Sequence, residues 1–263
     1  SVPAFSFHSA GSGSAVCSSE NQKNREIRTI TDSLNQGPDD PQGSSGFFYG
    51  TFFKDVLSME VLVNGIKIYY ERQGEGRPLI LLHGNGEDHS IFAETAEILK
   101  EHFAVYMPDT RGHGRSEGVE EYHYSDMAED LRELIRALGL ERPLLCGFSD
   151  GGIVGLLAAV RDPGLLSAMV LCGANLTPKG MKTRWYRLFQ KEYQRTGDAK
   201  LKLMLREPHI TAEQLTRIRI PVLVTAGSRD LIRRRETERI AAGIPGSRLK
   251  ILKGEDHGSY IVH

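Results

Sequence analysis

The sequence predicts an α/β fold in which a mostly parallel sheet is covered by helices on both faces. Three observations carry that expectation. From Met59 onward, short apolar runs of strand length alternate with helical periods, the pattern of parallel strands joined by crossover helices. Asn64-Gly65, flanked by residues 61–63 and 67–71, is the strongest short signal for a β-hairpin. At 263 residues the chain is long enough to bury the core that such a sheet needs.

The elements follow in order. Two antiparallel strands around Asn64-Gly65 open the domain, and then residues 79–82 read as strand, 91–99 as helix and 103–107 as strand. Met127, Leu131, Leu134, Ile135 and Leu138 recur at intervals of three and four on one helical face. Asp126, with Glu129 three positions on, predicts a capping box at the entry to that helix. A strand follows at 143–147, and residues 151–160 are apolar on every side, as in a helix buried against a sheet. Strands at 168–172, 221–226 and 249–252 complete the series, with a helix over 234–242 that stops at Gly243 and Pro245. The interval 175–211 exceeds what one crossover needs. Its Trp185, Tyr186, Leu188, Phe189, Tyr193, Leu201, Leu203 and Met204 are interleaved with Lys and Arg, which predicts one or two amphipathic helices forming a small lid. Trp185 and Phe189 are the lid residues expected to touch substrate.

Residues 1–58 differ from the rest, being rich in Ser, Gly, Asn and Gln, and read as a tail or linker ahead of a domain at 59–263. The aromatic cluster Phe47, Phe48, Tyr49, Phe52 and Phe53 is the exception within it. Lys and Arg (33) nearly balance Asp and Glu (34), for a net charge of −1, so no global field points to nucleic acid or an acidic membrane. A small neutral or weakly charged molecule is the expected partner. Cys17, Cys146 and Cys172 lack metal or disulfide spacing, and the last two fall in strand-like runs as small core residues. The apolar stretches are too short to span a bilayer and no basic-then-apolar leader opens the chain, so the expected compartment is the cytoplasm. Arg233, Arg234 and Arg235 start a surface helix, and the Lys and Arg of 175–211 read as a solvated outer face.

The chemistry centres on Gly147-Phe148-Ser149-Asp150-Gly151, a G-x-S-x-G sequence lying between a strand and a buried helix. A serine on so sharp a turn is lifted above the strand ends, and the turn needs neighbours without side chains. Its hydroxyl is a poor nucleophile until a base removes the proton, and histidine has the suitable affinity for it. Of nine histidines, only His257 follows the last strand in a polar turn. Asp230, just past the preceding strand, is placed to orient the imidazole, and the chain order Ser149, Asp230, His257 is that of the strand-turn-helix serine enzymes. Asp256 sits beside the histidine, where adjacent side chains point apart, so it is expected in solvent. An oxyanion needs two donors: the Asp150 N–H at the start of the buried helix, and an amide from the loop His83-Gly84-Asn85-Gly86, with Asn85 favoured. His83 has no second ligand at metal spacing and reads as a structural hydrogen-bonding residue. No metal or cofactor is expected.

Several segments together resemble the α/β-hydrolase superfamily: 83–86, Asp109-Thr110-Arg111-Gly112-His113-Gly114-Arg115-Ser116, 147–152, 221–227 with Asp230, and Asp256-His257. The similarity runs from about Met59 to Tyr260. It implies an α/β-hydrolase fold and a serine hydrolase that cleaves an ester-like bond of a small or medium substrate through an acyl-enzyme. Carbon–carbon hydrolysis or acyl transfer on the same triad, or a non-catalytic ligand-binding relative, stay open as alternatives. Serine at the nucleophile position sets the chain apart from the similar branches that carry aspartate there. The 109–116 turn is expected to be structural, with a minority expectation that His113 faces substrate. Two departures stand out. Relatives continue past the histidine into a terminal helix, whereas this chain stops at His263, leaving that face to a second copy, a partner or the aromatic cluster. Asp150 replaces a residue that is often hydrophobic or glutamine, and it is expected either to receive a cationic substrate group or to be a solvated, helix-capping carboxylate.

Overall fold

The computed structural model describes residues 56–261. The tail expected over 1–58, its aromatic cluster and Cys17 therefore lie almost wholly outside the described residues. The strands are β1 (Leu57–Val63), β2 (Ile66–Gln73), β3 (Arg77–Leu82), β4 (Phe103–Pro108), β5 (Leu144–Phe148), β6 (Ala168–Cys172), β7 (Val222–Gly227) and β8 (Arg248–Leu252). They form one sheet in the order β1-β2-β4-β3-β5-β6-β7-β8. β2 runs antiparallel to β1 and β4, and the other neighbours are parallel. Leu57 opens β1, two residues ahead of the expected start at Met59. The hairpin turns through Asn64 (φ 48°) and Gly65 (φ 78°), both left-handed, as the two-residue turn requires.

The helices are α1 (Ala93–Leu99), α2 (Tyr124–Ala137), α3 (Asp150–Arg161), α4 (Thr183–Thr196), α5 (Ala199–Arg206), α6 (Ala212–Leu215) and α7 (Arg234–Gly243). They explain why the central strands are apolar without alternation. Ile80 and Leu82 of β3 pack with Met127, Leu131, Ile153 and Ile240 on one face, while Leu79 and Leu81 pack with Phe92, Leu99 and Ile261 on the other. With both faces covered, every residue of such a strand gains from burial, roughly 1.5–3 kcal/mol for each large aliphatic side chain. Cys146 and Cys172 are buried, unpaired thiols of this core. Among the described residues no helix is long and apolar enough to cross a membrane.

One expectation about helix entry is corrected. The Asp126/Glu129 pair does not cap α2, which begins two residues earlier at Tyr124. The Tyr124 N–H instead donates to Glu207 Oε2 at 3.1 Å, a carboxylate arriving from the end of α5, while Glu129 pairs with Arg132 and Arg161. The interval 175–211 holds α4 and α5. No residue of α4 is buried, and α5 buries Leu203. The Ile210 N–H to Leu176 O bond closes the two ends of the interval on each other, and the Lys182 N–H to Leu231 O bond ties it to the segment after β7.

Candidate active site

The site begins with the turn between β5 and α3. Ser149 holds φ 51° and ψ −112°, left-handed backbone that a side chain rarely adopts and that persists only when surroundings enforce it. The enforcement is visible. The Ser149 N–H donates to Cys172 O at 2.7 Å and the Gly151 N–H to His83 O at 3.1 Å, pinning the turn between two neighbouring strand ends. A Cβ on Gly147 would lie 2.4 Å from Gly151 O, and one on Gly151 would lie 2.3 Å from Leu82 O. Neither oxygen can retreat, so both positions exclude a side chain.

The structure brings Ser149, Asp230 and His257 together. Ser149 Oγ lies 3.0 Å from His257 Nε2, and His257 Nδ1 lies 2.7 Å from Asp230 Oδ1. Asp230, 2% exposed, accepts at the same Oδ1 from the Ile232 N–H at 2.8 Å. That amide and the imidazole fix the carboxylate from two sides, so Nδ1 carries the proton and Nε2 is left to accept from the serine hydroxyl. Behind His257 the chain is anchored by Ile261, buried in the core, and by the Ile261 N–H to Gly258 O bond. Phe148 lies against the imidazole at 5.0 Å between ring centres. Gly173, just after β6 with φ +65°, was not singled out from the sequence, yet a Cβ there would stand 2.8 Å from His257 Cε1. Asp256 is exposed and accepts from the Gly258 and Ser259 amides.

The loop after β3 closes the other side of the serine. A Cβ on Gly84 would come within 3.1 Å of Ser149 Cβ, which places the 83–86 loop against the nucleophile. Glu87, absent from the sequence reasoning, shapes this loop by accepting from the Gly84 N–H at 3.0 Å. Burial pushes its carboxyl up to about 7, opposed by the Gly84 amide and by His257. His83 is fully enclosed: its Nδ1 hydrogen-bonds Gly84 O at 2.8 Å and its Nε2 accepts from the Thr110 N–H at 3.0 Å. Burial lowers its proton affinity, so it is a neutral structural link between the β3 and β4 loops.

Two expectations change here. Asp150 is neither solvated nor exposed: at 3% exposure its carboxylate accepts from Tyr124 Oη at 2.7 Å and Asn85 Nδ2 at 2.9 Å. Burial raises its proton affinity, with those two donors pulling it back. The minority expectation for His113 fails as well. It is buried against Thr110 Oγ1 and Arg111 O, and burial drives its pKa down to about 3. The 109–116 turn is fixed from within and from its neighbours: Asp109, fully buried, accepts from the His89 and Arg115 amides, and Arg111 grips Asp130 through two bonds of 2.6 and 2.7 Å.

Trp185 and Phe189 stack on each other at 6.2 Å and pack on Met181, Leu231 and Ile232, the last two following Asp230 in the chain. Asn85 Nδ2 also reaches Lys200 O at 3.3 Å, so α5 touches the 83–86 loop. Among the described residues, Asp88, His89 and Asp109 hold ligand-type atoms within 4.8 Å of one another. Internal bonds already account for them, since Asp88 caps the Ser90 amide and Asp109 accepts from His89 Nδ1.

A parallel sheet with an antiparallel opening, a strained serine between strand and helix, and an aspartate and a histidine at successive later strand ends define one architecture, and the chain has the α/β-hydrolase fold. A family model described as alpha/beta hydrolase fold matches residues 77–203. The chain is 27% identical to the serine hydrolase BPHL of Homo sapiens, over 89% of this chain and 91% of that protein. Among solved structures it is similar in fold to an esterase (EaEST) from Exiguobacterium antarcticum, with a TM-score of 0.68 and 22% identity over 76% of this chain and 91% of that one. The enol-lactonase from Burkholderia xenovorans LB400 gives a TM-score of 0.65 and 22% identity over 77% and 94%.

Proposed function

We propose that this chain is a serine hydrolase that cleaves an ester-like bond of a small or medium substrate by two-step acyl transfer to water. The observation that carries the reading is His257, held between Asp230 Oδ1 at 2.7 Å and Ser149 Oγ at 3.0 Å. In the first step Oγ attacks the carbonyl carbon as its proton passes to His257 Nε2. The imidazolium, stabilised by Asp230, then protonates the departing alkoxide, leaving an acyl group on Ser149. Water attacks that acyl group with His257 again as base, the carboxylic acid leaves, and the serine recovers its proton.

The oxyanion of each tetrahedral intermediate is assigned to the backbone N–H groups of Asp150 and Asn85. The amides flanking Asp150 are committed to Cys172 O and His83 O, and the Asp150 amide stands at the start of α3, where the helix dipole favours negative charge. Each such donor is worth roughly 2.7–4 kcal/mol in the transition state. The segment 175–211 is assigned as a lid, with Trp185 and Phe189 lining the apolar part of the substrate site beside Asp230.

A second reading concerns selectivity. The Asp150 carboxylate is buried, and the two donors it accepts from are neutral, so a cationic group on the substrate would find an uncompensated negative charge beside the nucleophile. Comparing an amino-acyl ester with its uncharged analogue tests this: Asp150→Asn should erase any preference for the charged ester, and an unchanged ratio contradicts the idea. The acyl-enzyme itself is tested with chromogenic esters. The expected result is an initial burst of one equivalent of alcohol and an acyl mass on the peptide bearing Ser149; hydrolysis with no trapped acyl group would contradict the mechanism.

A further inference from the structure

The basic residues that the sequence scatters between 175–211 and the start of α7 converge in the fold. Lys179, Lys182, Arg233, Arg234, Arg235 and Arg239 line one surface cleft of about 600 Å³, and Glu236 is its one carboxylate. The expectation of a solvated outer face did not foresee this, because the two groups lie some fifty positions apart and are brought together by tertiary contacts such as the Met181–Ile232 bridge and the Arg233 N–H to Gly180 O bond.

Within the cleft six basic side chains stand against a single carboxylate, Glu236. Glu236 is buried and spent on the Leu176 and Thr177 amides and on Arg239. Among the described residues Lys179, Lys182 and Arg235 have no carboxylate within ion-pair distance, and Arg234 alone finds one outside the lining set, Glu238. Arg233 is pre-oriented by Met181 O, Lys179 O and Thr183 Oγ1. Three consecutive arginines also occupy the N-cap and first two positions of α7, the end of a helix where the dipole is already positive and where cations are disfavoured. A sequence that accepts such local conflict places function above local stability.

We infer that this cleft binds a free phosphorylated small molecule carrying two or more negative charges. Its two walls, lysines from the 177–182 segment and arginines from α7, suit a ligand with anionic groups on both sides. Arginine forks and a helix start are strong donors to phosphoryl oxygens, and the volume is that of a small-ligand site. The ligand is distinct from the hydrolysed substrate, since Ser149, His257 and the 83–86 loop do not line the cleft. Bound there, it ties residues 179–182 to the segment that carries Asp230, so occupancy bears on the support of the catalytic acid.

Inorganic pyrophosphate is the probe, added to the full chain against sodium chloride of equal ionic strength. Pyrophosphate should raise the unfolding temperature saturably where chloride does not, and should act non-competitively against a neutral ester. The Lys182→Gln/Arg235→Gln variant should bind it at least about tenfold more weakly, as expected when charge-assisted donors are lost. Should that variant fail to give a native circular-dichroism spectrum, Lys179→Gln replaces it, with a loss of about threefold or more. No saturable rise, equal affinity in the variants, or purely competitive inhibition would overturn the inference.

Discussion

The strand-end turns and the two helices above them solve different problems. In the turns, the side chains that matter are buried and doubly held: Asp230 is 2% exposed and Asp109 and His83 are sealed off, each with two or more hydrogen bonds. In the cover, α4 buries no residue and α5 buries one, and contact with the turns runs through a few bonds such as Asn85 to Lys200 O. The side chains of the turns are thus locked into the sheet, whereas the two helices of 175–211 are held by few buried contacts.

That contrast can be broken by substitution, starting with the floor. Asp230→Asn should lower kcat by about 10⁴-fold with little change in KM, because the imidazole loses its fixed tautomer; a loss below tenfold would show that the acid does not hold the histidine. Gly147→Ala should cost roughly 3 kcal/mol or more in urea unfolding, since the new methyl meets the Gly151 carbonyl at 2.4 Å and backbone cannot yield. Near-native stability would mean that the turn is softer than this account requires.

Glu87→Gln probes the same loop by pH. The native carboxyl sits at about 7 against an ordinary 4.5. Between those values the folded chain holds a proton that the unfolded chain releases, so stability should fall as pH rises from about 4.5 to 7, by up to about 3 kcal/mol, and then level off. Glutamine still accepts from the Gly84 amide but cannot ionise, so this component of the slope should vanish from a pH series of unfolding midpoints. The smallest effect belongs to the cover: Phe189→Ala should cost under about 1.5 kcal/mol and raise KM a few-fold at unchanged kcat, whereas a collapse of kcat would move the chemistry into the helices.

Much of the floor was readable from the chain because local pattern and chain order carry it. Apolar runs buried on both faces announce parallel strands, and a serine between glycines at a strand-to-helix junction announces the turn. The parts that were not readable depend on partners distant in sequence. Asp150 looks like a free carboxylate until Tyr124 and Asn85 close over it. The start of α2 is satisfied by Glu207, 83 positions away, so a local Asp126/Glu129 pattern misled. Gly173 resembles any residue that ends a strand until the imidazole is seen against its α-carbon. Glu87 offered a faint signal, a carboxylate three residues after the loop glycine, but nothing local marked it as buried.

The central claim is that Ser149 is made nucleophilic by His257. Covalent labelling with a fluorophosphonate, followed by mass analysis, tests this most directly. One phosphonyl group should appear on Ser149 in the native chain, at a rate reduced by orders of magnitude in His257→Ala and abolished in Ser149→Ala. Labelling that survives in Ser149→Ala, or proceeds equally fast without the imidazole, would contradict the account.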